Sequence, residues 1–176
     1  MTPNPDPLPP APEAAVYAAL DALGIAFTRY DHPPVFTVEQ AEAHWRGIDA
    51  THGKNLFLRN QKGTRHYLVI AERHAAVDLR RLAAQLGDDR LSFASPERLA
   101  KHLGLTPGSV SPFGLINDRA GHVQVAVDLT LRDAVRVAFH PNVNTATLVL
   151  SSADFERFLA STGHAVRWIR FGAPGA

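Results

Sequence analysis

Cysteine is absent from this chain of 176 residues, and methionine occurs once. The absence of cysteine excludes disulfides, thiolate metal ligands and a cysteine nucleophile. Lysine is also scarce, with three lysines against fifteen arginines. No apolar run approaches the roughly 18–20 residues of a membrane span, so we expect no membrane association. The first residues show neither the basic start nor the apolar core of a signal peptide, and we therefore expect a cytoplasmic protein.

The overall composition is that of a globular domain. Hydrophobic residues make up 45% of the chain and charged residues 20%, with a net charge of +1. This balance argues against a nonspecific nucleic-acid binder, although a local basic face is compatible with it. Residues 1–12 contain six prolines and are predicted to be a flexible tail. We expect a single domain over residues 13–171 and a second short tail at 172–176.

Helix and strand signals are mixed along the chain. Caps, prolines and apolar spacing predict five helices, which begin near Pro12, Thr37, Asp78, Ser95 and Ser152. Eight strand-like runs are predicted, at 27–31, 54–60, 66–72, 91–94, 123–127, 135–139, 145–150 and 165–171. Leu105–Asp118 is rich in glycine and proline and is predicted to be a loop that ends in a strand. This order favours an α+β fold, a mixed sheet with helices packed around it.

Lys54 is the first candidate for a functional side chain. It opens the apolar strand Lys54–Arg59 and shares the parity of Leu56 and Leu58. Its stem is therefore expected to pack on the apolar side, with the ammonium at the rim of the sheet. A partly desolvated ammonium in that place can attract a carbonyl oxygen or a phosphate. The alternative to a functional role is that the lysine ammonium simply extends into water.

Two loops supply the other candidates. Gly108-Ser109-Val110-Ser111-Pro112 is a stiff turn whose backbone groups can approach a ligand closely. Phe139–Thr145 places His140, two asparagine amides and a hydroxyl on one short connection. Taken separately, both segments are also compatible with ordinary turn structure.

The common catalytic motifs are missing from the chain. It contains no Gly-rich dinucleotide or phosphate loop, no zinc-protease helix motif and no serine-hydrolase elbow. The nine histidines are scattered without a recognised ligand spacing, so we expect no metal site and no cofactor.

In combination, these strings resemble one family. The run beginning at Lys54, the segment 91–95, the loop 106–118 and the segment 139–147 occur here in one order. That series is similar to the YbaK/prolyl-tRNA synthetase editing-domain family, and within it to the free-standing alanyl-tRNA(Pro) deacylases of the ProX type. The resemblance covers about residues 13–171. It implies a strongly curved mixed sheet with surrounding helices.

The resemblance also implies an activity and a set of site residues. Members of this family hydrolyse the ester of a mischarged tRNA in trans and so protect translation fidelity. Lys54 matches the family's essential lysine, with Asn55 beside it. Gly108 and Pro112 match the ends of its Gly-x-x-x-Pro substrate loop, which places Ser109, Val110 and Ser111 among the expected binding residues. His140 matches a histidine that faces the pocket.

The expected partner is mischarged tRNA(Pro), with prolyl-tRNA synthetase as a further partner. Three readings stay open from sequence. The substrate is Ala-tRNA(Pro), or it is another mischarged tRNA such as Cys-tRNA(Pro), or the chain is a non-catalytic module that binds tRNA or a synthetase. The arginines of the middle third, together with Arg167 and Arg170, are candidates for contacts with tRNA phosphates.

Overall fold

The computed structural model of the protein describes residues 12–172. Its helices are α1 (Pro12–Ala22), α2 (Val38–Trp45), α3 (Leu79–Leu86), α4 (Pro96–Leu103), α5 (Leu129–Asp133) and α6 (Ser152–Ser161), with a 3-10 helix at Pro112–Asn117. Its strands are β1 (Thr28–Asp31), β2 (Thr51–Asn60), β3 (His66–Glu72), β4 (Leu91–Phe93), β5 (Val123–Asp128), β6 (Arg136–Phe139), β7 (Ala146–Ser151) and β8 (Val166–Ile169). No helix in this part of the chain is long and apolar enough to cross a membrane.

The eight strands form one mixed sheet in the order β1-β7-β6-β2-β3-β5-β8, with β4 pairing to β2. The hairpins β2–β3 and β6–β7 are antiparallel, whereas β2–β6, β3–β5 and β5–β8 are parallel. The predicted α+β class and mixed sheet are therefore confirmed. The predicted tail falls mostly outside the described residues, and Pro12 is already the first residue of α1.

Both faces of the central sheet are covered. All five residues Tyr67–Ala71 of β3 are completely buried, as the apolar character at both parities predicted. Leu68 and Ile70 face the larger core, which α1, α4, α6 and the 3-10 helix close. Tyr67 and Val69 face a second core that α3 covers. A third, small cluster of Val35, Ala41 and Trp45 lies under α2.

Most predicted elements occur at their predicted places because local signals define them. Asp78 and Ser95 cap α3 and α4, and Gly87 and Gly104 end these helices in the left-handed conformation. The strand expected at the end of Leu105–Asp118 is wrong, because that segment is the 3-10 helix. Ser111 accepts a hydrogen bond from the Phe113 backbone N–H, and Pro112 stands at the first helical position. The short helix α5 was not predicted.

Strand β2 changes partners near its start. Thr51 and His52 pair in parallel with β6, and from Gly53 onward the strand pairs antiparallel with β3. The change occurs where Gly53 meets the ring of buried Phe139, so closely that an added Cβ would fall 2.9 Å from Phe139 Cδ1 and nearer still to Cε1. Only glycine leaves room for this ring. Because Lys54 is the next residue, this contact also fixes where the Lys54 side chain begins.

Gly53→Ala is expected to destabilise the protein by about 1–3 kcal/mol, because the methyl group overpacks a buried ring. The free energy of unfolding from urea denaturation measures this change. Gly172→Ala is the matched control, since its Cβ would meet its neighbours at ordinary contact distance, and it should stay within about 0.5 kcal/mol of wild type. If the clash is the cause, Phe139→Leu should cost less in the Gly53→Ala background than alone. Strict additivity of the two changes would contradict this explanation.

Candidate functional site

A cleft of about 280 Å³ opens where β2 begins. Three segments surround the start of the strand: residues 35–37 before α2, called the lip, the turn at Gly108 and the loop at His140. Of the residues predicted from sequence, Lys54, Asn55, Gly108, Val110 and His140 all line this one cleft. The strand and the two loops are distant in sequence, so the fold brings the predicted set together.

Lys54 is held in place by a backbone carbonyl. Its side chain is half-buried, and Nζ donates a hydrogen bond to the Ala75 carbonyl oxygen at 2.6 Å. An ammonium has three N–H donors, so two remain for a ligand. Ala75 is itself positioned by the C-terminal segment, because the neighbouring Ala76 N–H donates to the Gly172 carbonyl at 3.0 Å. The lysine head is therefore fixed at the cleft and does not simply extend into water.

Asn55 joins the strand to the loop at Gly108. Its Nδ2 donates to the Val110 carbonyl at 3.1 Å, while its Oδ1 is buried and has no hydrogen-bond partner in the described part of the chain. A buried amide oxygen without a partner costs free energy unless something else supplies a donor. Since Asn55 lines the cleft, a ligand N–H or O–H is a suitable donor.

Gly108 forms the opposite edge of the cleft with a left-handed backbone, at a φ of +86°. A Cβ at this position would approach Phe36 Cδ1 to 3.2 Å. The Phe36 side chain is 68% exposed although it is a large apolar group. Its backbone N–H donates to Gln40 Oε1 at 2.9 Å, which fixes the lip to α2. The turn at Gly108 and the lip are thus in contact through Gly108 and the exposed Phe36 ring.

His140 presents a neutral imidazole to the cleft. Its Nδ1 lies 2.8 Å from the Ala146 carbonyl, which can only accept, so the ring proton is on Nδ1 and Nε2 is left as an acceptor. Burial lowers the pKa of His140, while the hydrogen bond to the Ala146 carbonyl opposes this shift. An acceptor nitrogen in the cleft that Lys54 also lines can bind a ligand N–H or O–H.

The other residues predicted in the loop do not line the cleft. The Ser111 hydroxyl donates to the His140 carbonyl at 2.5 Å and ties the two loops together. Pro112 is buried at the start of the 3-10 helix. Ser109 is buried as well, and its backbone N–H closes a turn onto the Thr106 carbonyl. These three residues support the loops that line the cleft, and their contact with substrate stays a prediction.

Several lining residues were missed from sequence, among them Val35, Phe36, Trp45, Gly53 and Leu56. Near the lip, the sequence showed only the capping signal of α2 at Thr37. That signal predicted a helix and gave no indication of residues that line a cleft. Thr37 does cap α2 by accepting from the Gln40 N–H. Contributions of this kind come from tertiary packing, because no motif marks an apolar residue that lines a cleft.

A hydrogen-bonded chain supports the back wall of the cleft. The Trp45 indole N–H donates to Thr147 Oγ1 at 3.3 Å, and Thr147 Oγ1 lies 3.0 Å from His32 Nε2. His32 Nδ1 is 2.9 Å from the Pro33 carbonyl and therefore carries the proton of the neutral ring. Nε2 then accepts from the threonine hydroxyl. Each polar group in the chain has a partner, which fixes the indole.

His52 lies behind Trp45 with its ring stacked on the indole at 4.2 Å. It is 4% exposed, and neither ring nitrogen makes a hydrogen bond to the described residues. Burial lowers the pKa of His52 to about 4, and the positive charge of Arg73 adds to the effect. The nearby Ile48 backbone partly opposes this lowering of the pKa, although it makes no hydrogen bond to the His52 ring. A neutral, buried imidazole at this place was not predicted.

The cleft lacks the groups that many hydrolases use. None of its lining residues is Asp, Glu, Ser or Cys, and its one lining hydroxyl, on Thr37, is committed to capping α2. Within residues 12–172, no group of three or more histidine and acidic side chains could hold a metal ion. The geometry therefore suits a reaction in which a fixed cation and hydrogen-bonding groups position a substrate that water attacks.

This fold and cleft suit an enzyme that acts on a small ester or acyl group. The model of the family described as "aminoacyl-tRNA editing domain" matches residues 32–158. The chain belongs to the aminoacyl-tRNA editing domain family. This result confirms the family and the editing-enzyme class that the sequence predicted.

Curated relatives agree with this family. The chain is 45% identical over 159 residues to prolyl-tRNA editing protein ProX of Acetoanaerobium sticklandii, covering 88% of this chain and 94% of the relative. It is 36% identical over 155 residues to prolyl-tRNA synthetase associated domain-containing protein 1 of Bos taurus, with 86% and 90% covered. Both relatives match the chain over nearly their full length.

Solved structures support the fold. A crystal structure described as a candidate trans-editing enzyme for prolyl tRNA synthetase has a TM-score of 0.69 at 20% identity, covering 94% of this chain and 99% of that one. A crystal structure of a hypothetical protein has a TM-score of 0.70 at 19% identity, with 89% and 98% covered. At these identities the likeness concerns the fold alone.

The lowered pKa of His52 predicts a stability loss in acid. Because the folded state holds His52 neutral, the unfolded chain binds more protons between about pH 6.5 and pH 4, and stability falls as the pH falls through that window. Lowering the pH from 7.5 to 5 should cost about 2 kcal/mol from this group. His52→Phe keeps the stacking and removes the titration, so urea denaturation at both pH values should show a correspondingly smaller loss. An unchanged loss in the variant would contradict the assignment.

Proposed function

We propose that the protein hydrolyses the ester of mischarged Ala-tRNA(Pro) in trans. The observation that carries this proposal is the fixed Lys54 ammonium in a small cleft that has no carboxylate or free hydroxyl of its own. The bond to be broken is an activated ester on a terminal ribose, so the reaction requires no protein nucleophile. The names of the relatives at 45% and 36% identity support tRNA(Pro) as the carrier.

Lys54 has the role of an electrostatic positioning group. Its two free N–H donors attract the terminal phosphate or the oxyanion that forms on the ester carbonyl when water adds. The ribose 2′-hydroxyl lies next to the ester oxygen in the substrate and can assist the proton transfer. The ester C–O bond then breaks, and the ribose hydroxyl and the free amino acid leave. Stabilisation of charge in the transition state, more than tight binding of the ester, accelerates this step.

Asn55 and His140 can hold the amino-acid end of the substrate. Asn55 Oδ1 is a buried acceptor without a partner, and His140 Nε2 is an acceptor because Nδ1 donates to Ala146. The α-ammonium of an aminoacyl ester supplies three N–H donors, which matches these acceptors. Lys54 on one side and two acceptors on the other therefore orient an ester with an adjacent cation.

The side-chain pocket is bounded by apolar groups. Val35, Leu56 and Val110 line the cleft together with the fixed Trp45 ring. We expect a methyl group to fit against such walls and the wider ring of proline to clash with them. Exclusion by clash discriminates more strongly than the loss of a single methylene contact. This geometry favours alanine over the cognate proline.

Two alternatives remain separate proposals. Cys-tRNA(Pro) as the substrate is compatible with the same residues, since a thiol adds little volume to a methyl group. A non-catalytic module that binds tRNA or a synthetase is disfavoured, because Lys54, Asn55 and His140 all line one cleft. Association with prolyl-tRNA synthetase is supported by the name of the Bos taurus relative, and a cytoplasmic location by the role in translation that these names indicate.

Lys54→Ala is expected to lower kcat/KM for deacylation of Ala-tRNA(Pro) by about 10²–10³-fold, because one oxyanion-stabilising group is lost. Lys62→Ala is the matched control, since Lys62 lies exposed in the turn between β2 and β3 and should leave the rate unchanged. Deacylation of Ala-, Cys- and Pro-tRNA(Pro) by catalytic amounts of protein measures the effect and separates the alternatives. Wild-type rates in Lys54→Ala would refute the role of Lys54, and absence of turnover by wild type would refute the enzyme.

Phe36 is expected to stack on the base of the terminal nucleotide, because it is an exposed aromatic ring at the mouth of the cleft. Phe36→Ala should raise KM by a factor that corresponds to about 1–3 kcal/mol of lost stacking. Phe36→Tyr keeps a stacking ring and should retain the wild-type KM. Phe93, which is equally exposed but lies outside this cleft, provides the control variant Phe93→Ala. Equal effects of Phe36→Ala and Phe93→Ala would contradict stacking at this position.

A further inference from the structure

A second cleft, of about 520 Å³, lies at the other end of the β2–β3 hairpin. Its walls include His66, Arg98, Lys101, His102 and His122, and it shares no lining residue with the Lys54 cleft. His66 pairs with Arg59, which is five residues beyond Lys54 on β2. At about 3.3 Å per residue, the two clefts are separated by roughly 17 Å along the strand.

Two positively charged side chains, Arg98 and Lys101, lie one helical turn apart in this second cleft. Arg98 donates from Nη1 to the Gly63 carbonyl and to His66 Nε2, both at 2.9 Å, so its guanidinium is held in place. Lys101 is exposed. Neither cation is in an ion pair with the described residues. A held guanidinium and a nearby ammonium, both without a counter-ion, form an arrangement that attracts a phosphate.

Three histidine rings continue this basic surface. The rings of His66 and His102 are 4.1 Å apart, and those of His102 and His122 are 6.2 Å apart in an edge-on arrangement. Because a guanidinium only donates, His66 Nε2 accepts from Arg98 and the proton of His66 is on Nδ1. Histidine side chains at these separations cannot all be charged without a counter-ion.

One carboxylate lines the cleft. Glu97 lies one helical turn before Lys101, and a hydrogen bond from Ser95 lowers its pKa, so Glu97 carries a negative charge. Asp118 is paired with His164 at 3.0 Å. With two cations, Arg98 and Lys101, against the one carboxylate of Glu97, the lining residues keep an excess of positive charge.

Burial and, after it, the neighbouring positive charges lower the pKa values of His66 and His102. Burial lowers the pKa of His66 to about 4, with further contributions from the charges of His102, Arg98, Lys101 and Arg59. Burial and then Lys101 lower the pKa of His102, with His122 and Arg98 adding to the effect, whereas Asp118 opposes it. An anion in the cleft would offset the repulsion and raise the pKa of His102.

We propose that this second cleft binds a phosphate group, with Arg98 and Lys101 as the positively charged groups and His102 as an additional donor. The chemistry suits a phosphodiester of an RNA strand or a free phosphate. The site goes beyond the proposed function, because it needs no aminoacyl ester and lies away from Lys54. Binding takes up a proton at His102, so a phosphodiester, whose charge is constant near neutral pH, binds more strongly as the pH falls.

The histidine Hε1 resonances of the full chain report this binding by NMR. A pH titration is recorded with inorganic phosphate, with a short RNA duplex, and with sodium chloride at matched ionic strength. Phosphate and RNA should each raise the titration midpoint of His102, whereas chloride should leave it in place. A shift with inorganic phosphate alone supports the site with a free phosphate as its ligand. No shift with either, or an equal shift with chloride, overturns the proposal.

Matched variants test the contributions of Lys101 and His102. Lys101→Gln should reduce the slope of log affinity for the RNA duplex against log salt by about 1. If the natural ligand is a free phosphate, Lys101→Gln should instead weaken the binding of inorganic phosphate. Lys62→Gln removes the same charge outside the cleft and should change neither. His102→Gln should abolish the pH dependence of binding while leaving the fold intact by circular dichroism. Equal effects of Lys101→Gln and Lys62→Gln on both ligands would overturn the proposal in favour of general charge attraction.

Discussion

The close contact between Gly53 and Phe139 is the constraint on which the site depends. Strand β2 has to leave β6 and join β3 at this point, and only a residue without a side chain lets the buried ring pass. The next two residues, Lys54 and Asn55, then fall at the mouth of a cleft. Since the strand is covered on both faces, its path cannot shift to relieve strain without moving two cores.

The site is built from groups that the fold has restrained in advance. Lys54 is held by the Ala75 carbonyl, His140 by the Ala146 carbonyl, and the loop at Val110 by Asn55. A preorganised cation and oriented acceptors need little rearrangement when charge develops on a substrate. This arrangement supports the proposed roles of Lys54, Asn55 and His140 in a cleft whose lining residues include no acid and no free hydroxyl.

The two ends of the β2–β3 hairpin have different electrostatic properties. At the end near Lys54, one ammonium lies among apolar walls and neutral imidazoles. At the other end, Arg98, Lys101 and three histidines form a surface on which positive charge is in excess. A substrate that carries an ester at one end and a chain of phosphates behind it could contact both. Burial lowers the pKa of His140 at one end and of His66 at the other, so a charged group on a ligand at either end would change these pKa values.

The sequence by itself determined the elements with local causes. Helices α3 and α4 have their caps where Asp78 and Ser95 predicted them, because such signals act within one helical turn. It also indicated Lys54, Asn55, Gly108 and His140 through a family resemblance. The tertiary structure alone decided that Phe36 and Trp45 join them, that Ser111 and Pro112 stay behind the cleft, and that His66, His102 and His122 meet. Those outcomes depend on strand pairing and packing between residues far apart in the chain, for which no local pattern exists.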